Sequence, residues 1–428
     1  MIPVAIGLLF LFLAIGLPVA AALALLGLGL DQIFSPVDLR LAMGELGWVS
    51  SSNALLVSVP LFILLGEILL RSGIADRLYD AMSRWLSWLP GGLMHANIGA
   101  SMAFAATSGS SVATAATISV VGAPMVERYG YGERLFFGSI AAGGTLGILI
   151  PPSINLIIFG WLTETSVPKL YLAGFLPGLV LGTGFSLTIL LVCLLRPAIG
   201  GHRIAVDWGE RWRSLWGLLP PFAIFVIVIG SIYAGIATPT ESASLGVVAA
   251  LVLAALHRRL TVPMILAALD GTMRSTGMIM LIVMTAWFLN FVLAALGLIS
   301  AMNGAIAGMD LGPTGLILSV IALYLVLGMF MDPLAMMIVT VPIIAPLVKD
   351  AGFDPVWFGI LIVLLCETAL VTPPIGMNLF VVQGVRRRGT IDDVMIGVAP
   401  FVLCLIAMIG LLLVFPQIAL WLPSALSD

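Results

Sequence analysis

The sequence predicts an all-α polytopic membrane protein, and its composition, its apolar runs and an internal repeat support that prediction. Hydrophobic residues make up 61% of the 428 residues and charged residues 9%, whereas soluble domains carry about 25% charged residues. Apolar runs of about 20 residues, the length that crosses a bilayer core, recur along the whole chain. A soluble domain of this composition could not bury its apolar surface, so we expect many membrane crossings.

The charges, cysteines and histidines exclude several classes of function. The net charge is −3 and the only run of three basic residues, Arg386–Arg388, flanks an apolar segment, so we expect no nucleic-acid partner. The three cysteines lack CxxC spacing and the three histidines are scattered, so neither set predicts a metal site. The sequence contains no phosphate-binding loop motif and no long soluble domain, and nucleotide hydrolysis is therefore not expected.

Prolines recur along the chain at a nearly constant offset. Five pairs of prolines are separated by 221 to 223 residues: Pro18 and Pro239, Pro124 and Pro346, Pro151 and Pro373, Pro152 and Pro374, and Pro177 and Pro400. The surrounding segments also correspond, as in GAPMVERYGYGERLFFG at 122–138 and IAPLVKDAGFDPVWFG at 344–359. Internal repeats of this kind are typical of secondary transporters, so the sequence predicts a carrier composed of two repeats.

The repeat divides the chain into segments 1–200, 201–236 and 237–428. The first repeat is predicted to contain spans 4–30 and 53–70, a re-entrant hairpin at 92–126, a broken helix at 134–165 and a span at 170–195. The second is predicted to contain spans 237–257 and 275–293, a hairpin at 315–349, a broken helix at 356–386 and a span at 394–421. The middle segment holds a cytoplasmic loop and one unpaired connecting helix at 215–236, which turns the second repeat upside down. Two amphipathic stretches, 74–89 and 258–272, are predicted to be surface helices.

The distribution of positive charge supports this inverted topology independently. The loops assigned to one side hold 15 of the 18 Lys and Arg residues: Arg71, Arg77, Arg84, Arg128, Arg134, Arg196, Arg203, Arg211, Arg213, Arg258, Arg259, Arg274, Arg386, Arg387 and Arg388. The other side holds Arg40, Lys169 and Lys349. The positive-inside rule makes the arginine-rich side cytoplasmic, which predicts a cytoplasmic N-terminus and a periplasmic C-terminus.

Two hairpins and two proline pairs indicate where a binding site forms. The hairpins have polar or irregular centres, 108–111 in the first repeat and 328–333 in the second. Each proline of these pairs removes a backbone donor and clashes with the preceding turn, so the helix opens at 145–153 and at 368–375. Freed carbonyls suit a sodium ion and helix N-termini suit an anionic group. A simple proline kink in a packed helix is the alternative. A proline pair occurs at the same place in both repeats, each time beside a hairpin, and this favours a binding site.

Acidic residues at membrane depth are costly, and the sequence contains few of them. Asp332 lies at the second hairpin tip, where it could bind a cation or cap a half-helix. Glu367 lies one turn before the second proline pair. For Glu67 and Glu241, we favour a structural hydrogen bond or a subunit contact over a ligand role.

Five segments together resemble a known transporter family: ATSGSSVATAATI (106–118), GGTLGILIPPS (143–153), GIATPTESA (235–243), GMFMDPLAMMIV (328–339) and LVTPPIGMNLFV (370–381). Over essentially its whole length the chain resembles the large membrane subunit of tripartite ATP-independent periplasmic (TRAP) transporters, the DctM-type subunit. The resemblance implies an elevator-type carrier of the ion-transporter superfamily, with Na+ as the coupling ion, in a bacterial or archaeal inner membrane. It also implies three partners besides the lipid bilayer: a small four-helix membrane subunit, a periplasmic substrate-binding protein and a small organic anion.

The resemblance implies two sodium-binding sites. Ser108 and Ser110, with the backbone at Gly147 and Ile150, would form the first. The second would be formed by four residues around the second hairpin and the second proline pair: Gly328, Ala369, Thr372 and Ile375. Family members often carry glycine near position 369, and alanine leaves its carbonyl available. The substrate cavity is assigned to residues of the hairpin tips and the two breaks: Ser111, Pro151, Pro152, Ser153, Asp332, Pro373, Pro374 and Asn378.

The function favoured by these features is sodium-coupled import of a small organic anion of the carboxylate class, delivered by a periplasmic binding protein. A stand-alone sodium/dicarboxylate or citrate symporter is the alternative, and it would transport without partners. A channel would need a continuous polar pore, and an intramembrane enzyme would need a nucleophile and a base at depth. The sequence offers neither, so we expect no enzyme and assign no catalytic residue.

Overall fold

The computed structural model describes residues 1–202, 207–301, 304 and 312–426, which fold almost entirely into helices. Within these ranges six helices are long and apolar enough to cross a membrane, or seven if one bent pair is counted as a single span. That pair consists of Ser58–Arg71 and Ile74–Leu86, which meet at an angle of 69°. The chain is therefore an all-α polytopic membrane protein, as the sequence predicts.

The first half of the chain contains ten helices. They are α1 (Ile2–Ala14), α2 (Val19–Phe34), α3 (Met43–Ser51), α4 (Ser58–Arg71), α5 (Ile74–Leu86), α6 (Leu93–Ser108), α7 (Ser111–Tyr129), α8 (Glu133–Thr145), α9 (Ile154–Thr163) and α10 (Val167–Leu195). Helices α6 and α7 form the first hairpin. Helices α8 and α9 form the first broken span, in which a short 3-10 turn, Leu146–Ile148, follows α8.

The described part of the second half repeats this order after a linking segment. Its helices are α11 (Trp208–Ser214), α12 (Leu219–Tyr233), α13 (Pro239–Leu256), α14 (Val262–Ala295), α15 (Gly312–Leu327), α16 (Pro333–Asp350), α17 (Pro355–Val371), α18 (Met377–Arg386), α19 (Ile391–Val414) and α20 (Gln417–Leu426). Helices α15 and α16 form the second hairpin, and α17 and α18 form the second broken span.

The predicted single span at 4–30 is wrong, because the structure divides it into α1 and α2. Gly16 adopts a left-handed conformation (φ 75°), and Pro18 lacks the backbone donor that a continuous helix needs. The connecting helix is consequently not unpaired. Helices α12 and α13 repeat the arrangement of α1 and α2, with Pro239 in the place of Pro18.

Two further segment predictions need correction. The amphipathic stretch 258–272 and the span 275–293 are not separate, because α14 runs unbroken over 34 residues; no proline follows Pro263 within it to interrupt the helix. The span 394–421 is instead two helices, α19 and α20, which part at Phe415 and Pro416. A residue before proline is disfavoured in helical conformation, which accounts for the break.

The loops rich in arginine meet at one end of the molecule. The hydroxyl of Tyr131 accepts the backbone N–H of Leu93 (3.0 Å), and Tyr131 also forms a β-bridge with Gly200. Arg84 pairs with Glu210 (3.2 Å). We call this end, which includes residues 84–93, 127–134, 196–202 and 386–393, the arginine-rich end.

Four other described loops meet at the other end. The hydroxyl of Tyr233 donates to the carbonyl of Pro168 (3.0 Å), and that of Thr240 donates to the carbonyl of Ala54 (3.0 Å). Lys349 lies in a cleft together with Glu164. We call this end, which includes residues 53–55, 163–169, 233–240 and 346–355, the opposite end. The basic residues of these two ends are therefore separated in space, and Arg203 lies outside the described residues.

The helices form two bundles. Helices α2, α4, α13 and α14 pack on one another, and we call them the outer bundle. The two hairpins, the two broken spans and α19 pack together, and we call them the hairpin bundle. Close backbone contact holds the second bundle together at Gly397 of α19, where a Cβ atom would overlap the carbonyl of Arg134. This packing places both hairpin tips beside the opened loops.

Candidate functional site

The tip of the first hairpin lies directly on the loop of the first broken span. A Cβ atom on Gly147 would be 2.8 Å from the carbonyl oxygen of Ser110, and one on Gly109 would be 2.7 Å from that of Pro152. The hydroxyl of Ser111 donates to the carbonyl of Thr145 (3.1 Å). Glycine at 109 and 147 is therefore what allows two irregular backbones to touch.

Hydroxyl and carbonyl oxygens concentrate at this contact. The hydroxyl of Ser108 lies 3.1 Å from that of Thr114, which donates to the carbonyl of Ser110 (2.7 Å). Ser108 and Thr114 are buried, and Ser110 is half-buried. Ile150 lies in the same loop with its side chain against Gly178. The structure thus brings the four residues of the first predicted sodium site to one tip and one loop.

The second hairpin meets the second broken span in a similar way. A Cβ atom on Gly328 would lie 2.5 Å from the Cβ of Ala369. The thiol of Cys366 is 3.6 Å from the carbonyl of Pro333, so the two elements stay in contact past the tip. Thr372 ends α17 and donates its hydroxyl to the carbonyl of Thr368 (2.6 Å). Gly328 and Ala369 therefore touch, and Thr372 lies on the next turn of the chain.

The two opened loops differ in their exposure. Residues 146–153 are all buried, including the predicted cavity residues Pro151 and Pro152. Ser153 is buried as well, and its hydroxyl accepts the N–H of Leu156 (3.3 Å) as the cap of α9. In the second loop, by contrast, Pro374 and Ile375 are exposed, and Thr372 and Pro373 are half-buried. The accessible backbone of the candidate site is therefore that of the second loop.

Two predicted cavity residues have structural partners. Asp332 caps α16, where one carboxylate oxygen accepts the N–H groups of Leu334 (3.0 Å) and Ala335 (3.3 Å). Asn378 is fully buried, and its amide donates to the carbonyl of Ala141 (3.2 Å) in α8. Asn378 thereby ties the second broken span to the first, and this contact lies between the repeats.

The other acidic residues differ sharply in their surroundings. Glu67 pairs with Arg71 and lies against Gly271 of α14, where a Cβ atom would be 2.6 Å from its carboxylate. Glu241 forms a capping box with Thr238 at the start of α13. Glu367 is fully buried, and neither carboxylate oxygen has a hydrogen-bond partner in the described part of the chain.

Some polar and aromatic contacts around the hairpins are not evident from sequence patterns. The hydroxyl of Tyr79 donates to Asn97 (2.8 Å), whose amide donates to Ser139 (2.9 Å), so one chain of bonds joins α5, α6 and α8. Phe10 of α1 packs edge-on against Phe330 at the second tip (6.2 Å between ring centroids). The bonds of Asn97 could have been suspected from the sequence, because a polar residue within an apolar run needs a partner. Nothing in the sequence relates Phe10 to Phe330.

The chemistry of these contacts suits a hard cation. Oxygen atoms of hydroxyls and carbonyls surround both contacts, and such ligands are used for sodium in carriers with broken helices. No group of three or more His, Cys, Asp or Glu side chains able to hold a metal occurs in the described ranges. The hydroxyl and carbonyl oxygens are the groups at the two contacts whose chemistry suits such a cation.

A helical membrane protein with two re-entrant hairpins seated on two broken helices has the architecture of a secondary carrier. The chain belongs to the family described as tripartite ATP-independent periplasmic transporter, DctM component, which matches residues 6–418.

Two relatives agree with this assignment, and a solved structure shares the fold. The chain is 33% identical over 398 residues to the C4-dicarboxylate TRAP transporter large permease protein DctM of Pseudomonas aeruginosa, covering 92% of this chain and 91% of that protein. It is 33% identical over 373 residues to the ectoine TRAP transporter large permease protein TeaC of Halomonas elongata, covering 86% of each. The crystal structure of the YdaH transporter of Alcanivorax borkumensis matches 95% of this chain and 97% of its own, with a TM-score of 0.61 and 14% identity. That last match concerns the fold alone.

Proposed function

We propose that this chain is the large membrane subunit of a sodium-coupled TRAP transporter that imports a small organic anion of the carboxylate class. The observation that carries the proposal is the contact of each hairpin with a broken span beside its break, Ser110 with Gly147 in the first loop and Gly328 with Ala369 in the last turn of α17. Opened loops offer carbonyls without helical partners, which bind coupling ions in carriers. The chain acts as a carrier, and no residue is assigned a catalytic role.

Two sodium ions would bind at these contacts. The first would be held by Ser108 and Ser110 with the carbonyls of Gly147 and Ile150. The second would be held by Gly328 and Ala369, together with Thr372 and the backbone at Ile375. The close contacts at Gly147 and Gly328 support this assignment, because ligands from a hairpin and a loop must lie within a few ångströms of one ion.

Sodium coupling is tested in proteoliposomes that contain the chain with its small membrane subunit and its binding protein. We expect uptake of a labelled dicarboxylate only with an inward sodium gradient. Thr372→Val should raise the sodium concentration needed for half-maximal uptake. Thr188→Val is the matched control, because its hydroxyl also donates to the carbonyl four residues earlier (Gly184, 2.8 Å) but lies in α10. An unchanged sodium requirement in Thr372→Val would contradict the site.

The same vesicles separate this proposal from the alternative. A stand-alone sodium/dicarboxylate or citrate symporter would take up substrate when only this chain is present. A TRAP subunit would be inactive until the small four-helix subunit and the loaded periplasmic binding protein are added. Uptake by the chain alone would therefore replace the proposal with the alternative.

Transport would proceed by an elevator movement of the hairpin bundle against the outer bundle. A small residue at the boundary supports this, since a Cβ atom on Gly66 of α4 would lie 3.1 Å from the carbonyl oxygen of Ser108. Trp161 of α9 and Trp287 of α14 also meet across the boundary, with ring centroids 5.0 Å apart. Cysteines at these two tryptophan positions, joined by a thiol cross-linker, should arrest uptake until the link is reduced.

A second pair of tryptophans provides a control for the effect of the cross-linking reaction itself. Trp85 and Trp212 lie at a similar distance (5.8 Å between centroids), and both are outside the hairpin bundle. Cysteines joined there should leave uptake intact. Full uptake with the 161–287 link in place would rule out a sliding bundle.

The proposal that the substrate is a carboxylate is based on the family and not on residues of this chain. The relatives are named for substrates as different as C4-dicarboxylates and ectoine, so membership alone does not fix the molecule. We expect the binding protein to select it, and a thermal-shift screen of carboxylates against that protein would identify it. A binding protein that responds to no carboxylate would exclude the proposed class.

The location follows from the distribution of charge. We place the arginine-rich end in the cytoplasm of a bacterial or archaeal cell, with the chain in the inner membrane. The N-terminus is expected to be cytoplasmic and the C-terminus periplasmic. A periplasmic N-terminus would show instead that α1 crosses the membrane separately from α2. Alkaline phosphatase and fluorescent-protein fusions at each terminus decide both assignments.

A further inference from the structure

A groove of about 690 Å³ opens at the arginine-rich end, between the start of α8, the end of α10 and the start of α19. Its lining combines apolar side chains with three arginines and two carboxylates. The charged members are Arg134, Arg196, Arg386, Glu133 and Asp393. With three positive and two negative groups, the groove carries a net charge of +1 beside an apolar wall.

The segment that follows α10 is held against the start of α8. The N–H of Gly132 donates to the carbonyl of Ile199 (3.0 Å). A Cβ atom on Gly132 would lie 2.6 Å from the side chain of Ile199, so the two segments are in direct contact. This contact holds Arg196, directly after α10, and Arg134, in the first turn of α8, on one groove.

The three arginines of the groove differ in how far they are neutralised. The side chain of Arg386 is only 6% accessible and pairs with both Glu133 and Asp393. Arg134 donates to Asp393 through its Nε (2.9 Å), and its side chain remains 62% accessible. Arg196 is exposed, and its side chain makes no ion pair or hydrogen bond within the described residues. The positive charge that is left over therefore lies on Arg196 and on the accessible side of Arg134.

The apolar wall of the groove continues onto the outer surface of two spans. Leu195 of α10 and Ile396 of α19 line the groove, and both are more than half exposed. Leu191, one turn back along α10, and Leu403, two turns further along α19, are also more than half exposed. In a bilayer, apolar side chains that face outward along spanning helices contact acyl chains. The groove therefore joins a charged region at the helix ends to a hydrocarbon-facing surface.

The internal repeat provides a comparison at the opposite end of the molecule. A groove of about 360 Å³ lies there between α15, α17 and α20. At offsets of 222 and 223 residues, Val356 stands at the position of Arg134 and Ala419 at that of Arg196. Among the described residues no lysine or arginine lines this second groove, whose charged member is Asp354. An apolar groove occurs at both ends, but the arginines occur at one.

We propose that the groove at the arginine-rich end binds an anionic phospholipid, with Arg196 and Arg134 on the phosphate and the acyl chains along Leu191 and Leu403. Guanidinium groups match phosphate oxygens in geometry and charge, and basic pockets between helices at the cytoplasmic side of membrane proteins bind anionic headgroups. A free anion would leave the apolar wall uncovered. The inference requires only that the chain lies in a membrane, so it stands or falls separately from the proposed transport.

Lipid binding is measured on the purified full-length chain by native mass spectrometry. The chain is titrated in detergent micelles with phosphatidylglycerol and, in parallel, with phosphatidylcholine. We expect one phosphatidylglycerol to bind at concentrations at which phosphatidylcholine does not. Equal binding of the two lipids would overturn the proposal, because the net charge of the groove would then have no effect.

Substitutions show whether the two arginines are responsible. Arg196→Gln and Arg134→Gln should each weaken phosphatidylglycerol binding about fivefold, the usual contribution of one basic residue near an anionic lipid surface. Arg388→Gln is the matched control, because Arg388 lies at the same end and is exposed, but pairs with Glu127 and does not line the groove. An equal loss in Arg388→Gln would reduce the effect to general surface charge and refute the site.

The variants differ in their risk of unfolding. Arg134→Gln removes the partner of Asp393, whereas Arg196→Gln breaks no ion pair within the described residues. If Arg134→Gln does not fold, Arg196→Gln decides alone, and unchanged phosphatidylglycerol affinity in that variant would refute the site.

Competition identifies the source of the phosphate group. Inorganic phosphate and glycerol phosphate offer the same charge without acyl chains. Neither should displace phosphatidylglycerol from the wild-type chain at equal concentration. Displacement by either would show that the groove takes a free anion, and the assignment to a lipid would be wrong.

Discussion

Ser110 and Asp332 occupy the same position in the two repeats, and each caps the second helix of its hairpin. The hydroxyl of Ser110 accepts the N–H of Ala113 (3.4 Å), whereas a carboxylate oxygen of Asp332 accepts two N–H groups, at 3.0 and 3.3 Å. The first tip is thus capped by a neutral group and the second by a carboxylate. This difference explains why Asp332 is present at membrane depth without requiring that it bind a ligand.

The cap at Asp332 makes a prediction about stability. Asp332→Ala should lower the free energy of unfolding by about 1 kcal/mol, because two N–H groups of α16 lose their partner. Asp332→Ser, which installs the cap of the first hairpin, should stay close to the wild type. Thermal unfolding of the purified protein in detergent measures both. Equal melting temperatures for the alanine and serine variants would show that capping is not the role of Asp332.

The contact at Gly147 makes a prediction about sodium binding. Gly147→Ala would bring a methyl group to 2.8 Å from the carbonyl carbon and oxygen of Ser110, and overpacking of this kind costs about 1–3 kcal/mol. The hairpin tip should shift, and sodium-driven uptake should be lost. Gly410→Ala is the control, since nothing lies within 4 Å of a Cβ there. Normal sodium affinity in Gly147→Ala would exclude this loop from the first site.

A residue exchange tests the contact between Gly328 and Ala369. Gly328→Ala alone should impair folding or uptake, because the two Cβ atoms would be 2.5 Å apart. Ala369→Gly alone should cost about 0.5–1 kcal/mol, the usual penalty for glycine in a helix. The double variant should recover uptake relative to Gly328→Ala, and a double-mutant cycle on uptake rate measures the coupling. Additive effects would mean that the residues act independently.

Glu241 is expected to stabilise the start of α13 and to take no part in binding sodium or substrate. Glu241→Ala removes the carboxylate half of the capping box, which accepts the backbone N–H of Thr238 (2.8 Å), and leaves the bond from the backbone N–H of residue 241 to the Thr238 hydroxyl, so it should cost about 0.5–1.5 kcal/mol of stability. Uptake per folded molecule and its sodium dependence should not change, because the cap lies at the opposite end, next to Ala54 rather than beside a hairpin tip. A shift in sodium affinity at unchanged melting temperature would instead assign Glu241 to an ion path.

The hairpins and broken spans are predictable from local sequence because their causes are local. Paired prolines open a helix when they fall in its interior, whereas Pro220 and Pro221 are accommodated in the first turn of α12. A polar segment such as 108–111 cannot continue through lipid. The split between α1 and α2 is not predictable in this way, since a single proline after Gly16 is a weak break beside a long apolar run. The continuity of α14 also escapes a local pattern, because amphipathic character does not itself end a helix.

The sequence alone determined that this protein crosses the membrane repeatedly, that it is duplicated, and where the two hairpins and the two proline-pair breaks lie. Hydrophobicity and proline geometry act over a few residues and leave a visible pattern. Only the tertiary structure decided that a hairpin also packs on the broken helix of the other repeat, as Glu127 does with Arg388, and that the two broken spans meet, as Asn378 does with Ala141. Contacts between positions more than two hundred residues apart depend on how the bundles pack, and no local pattern specifies that packing.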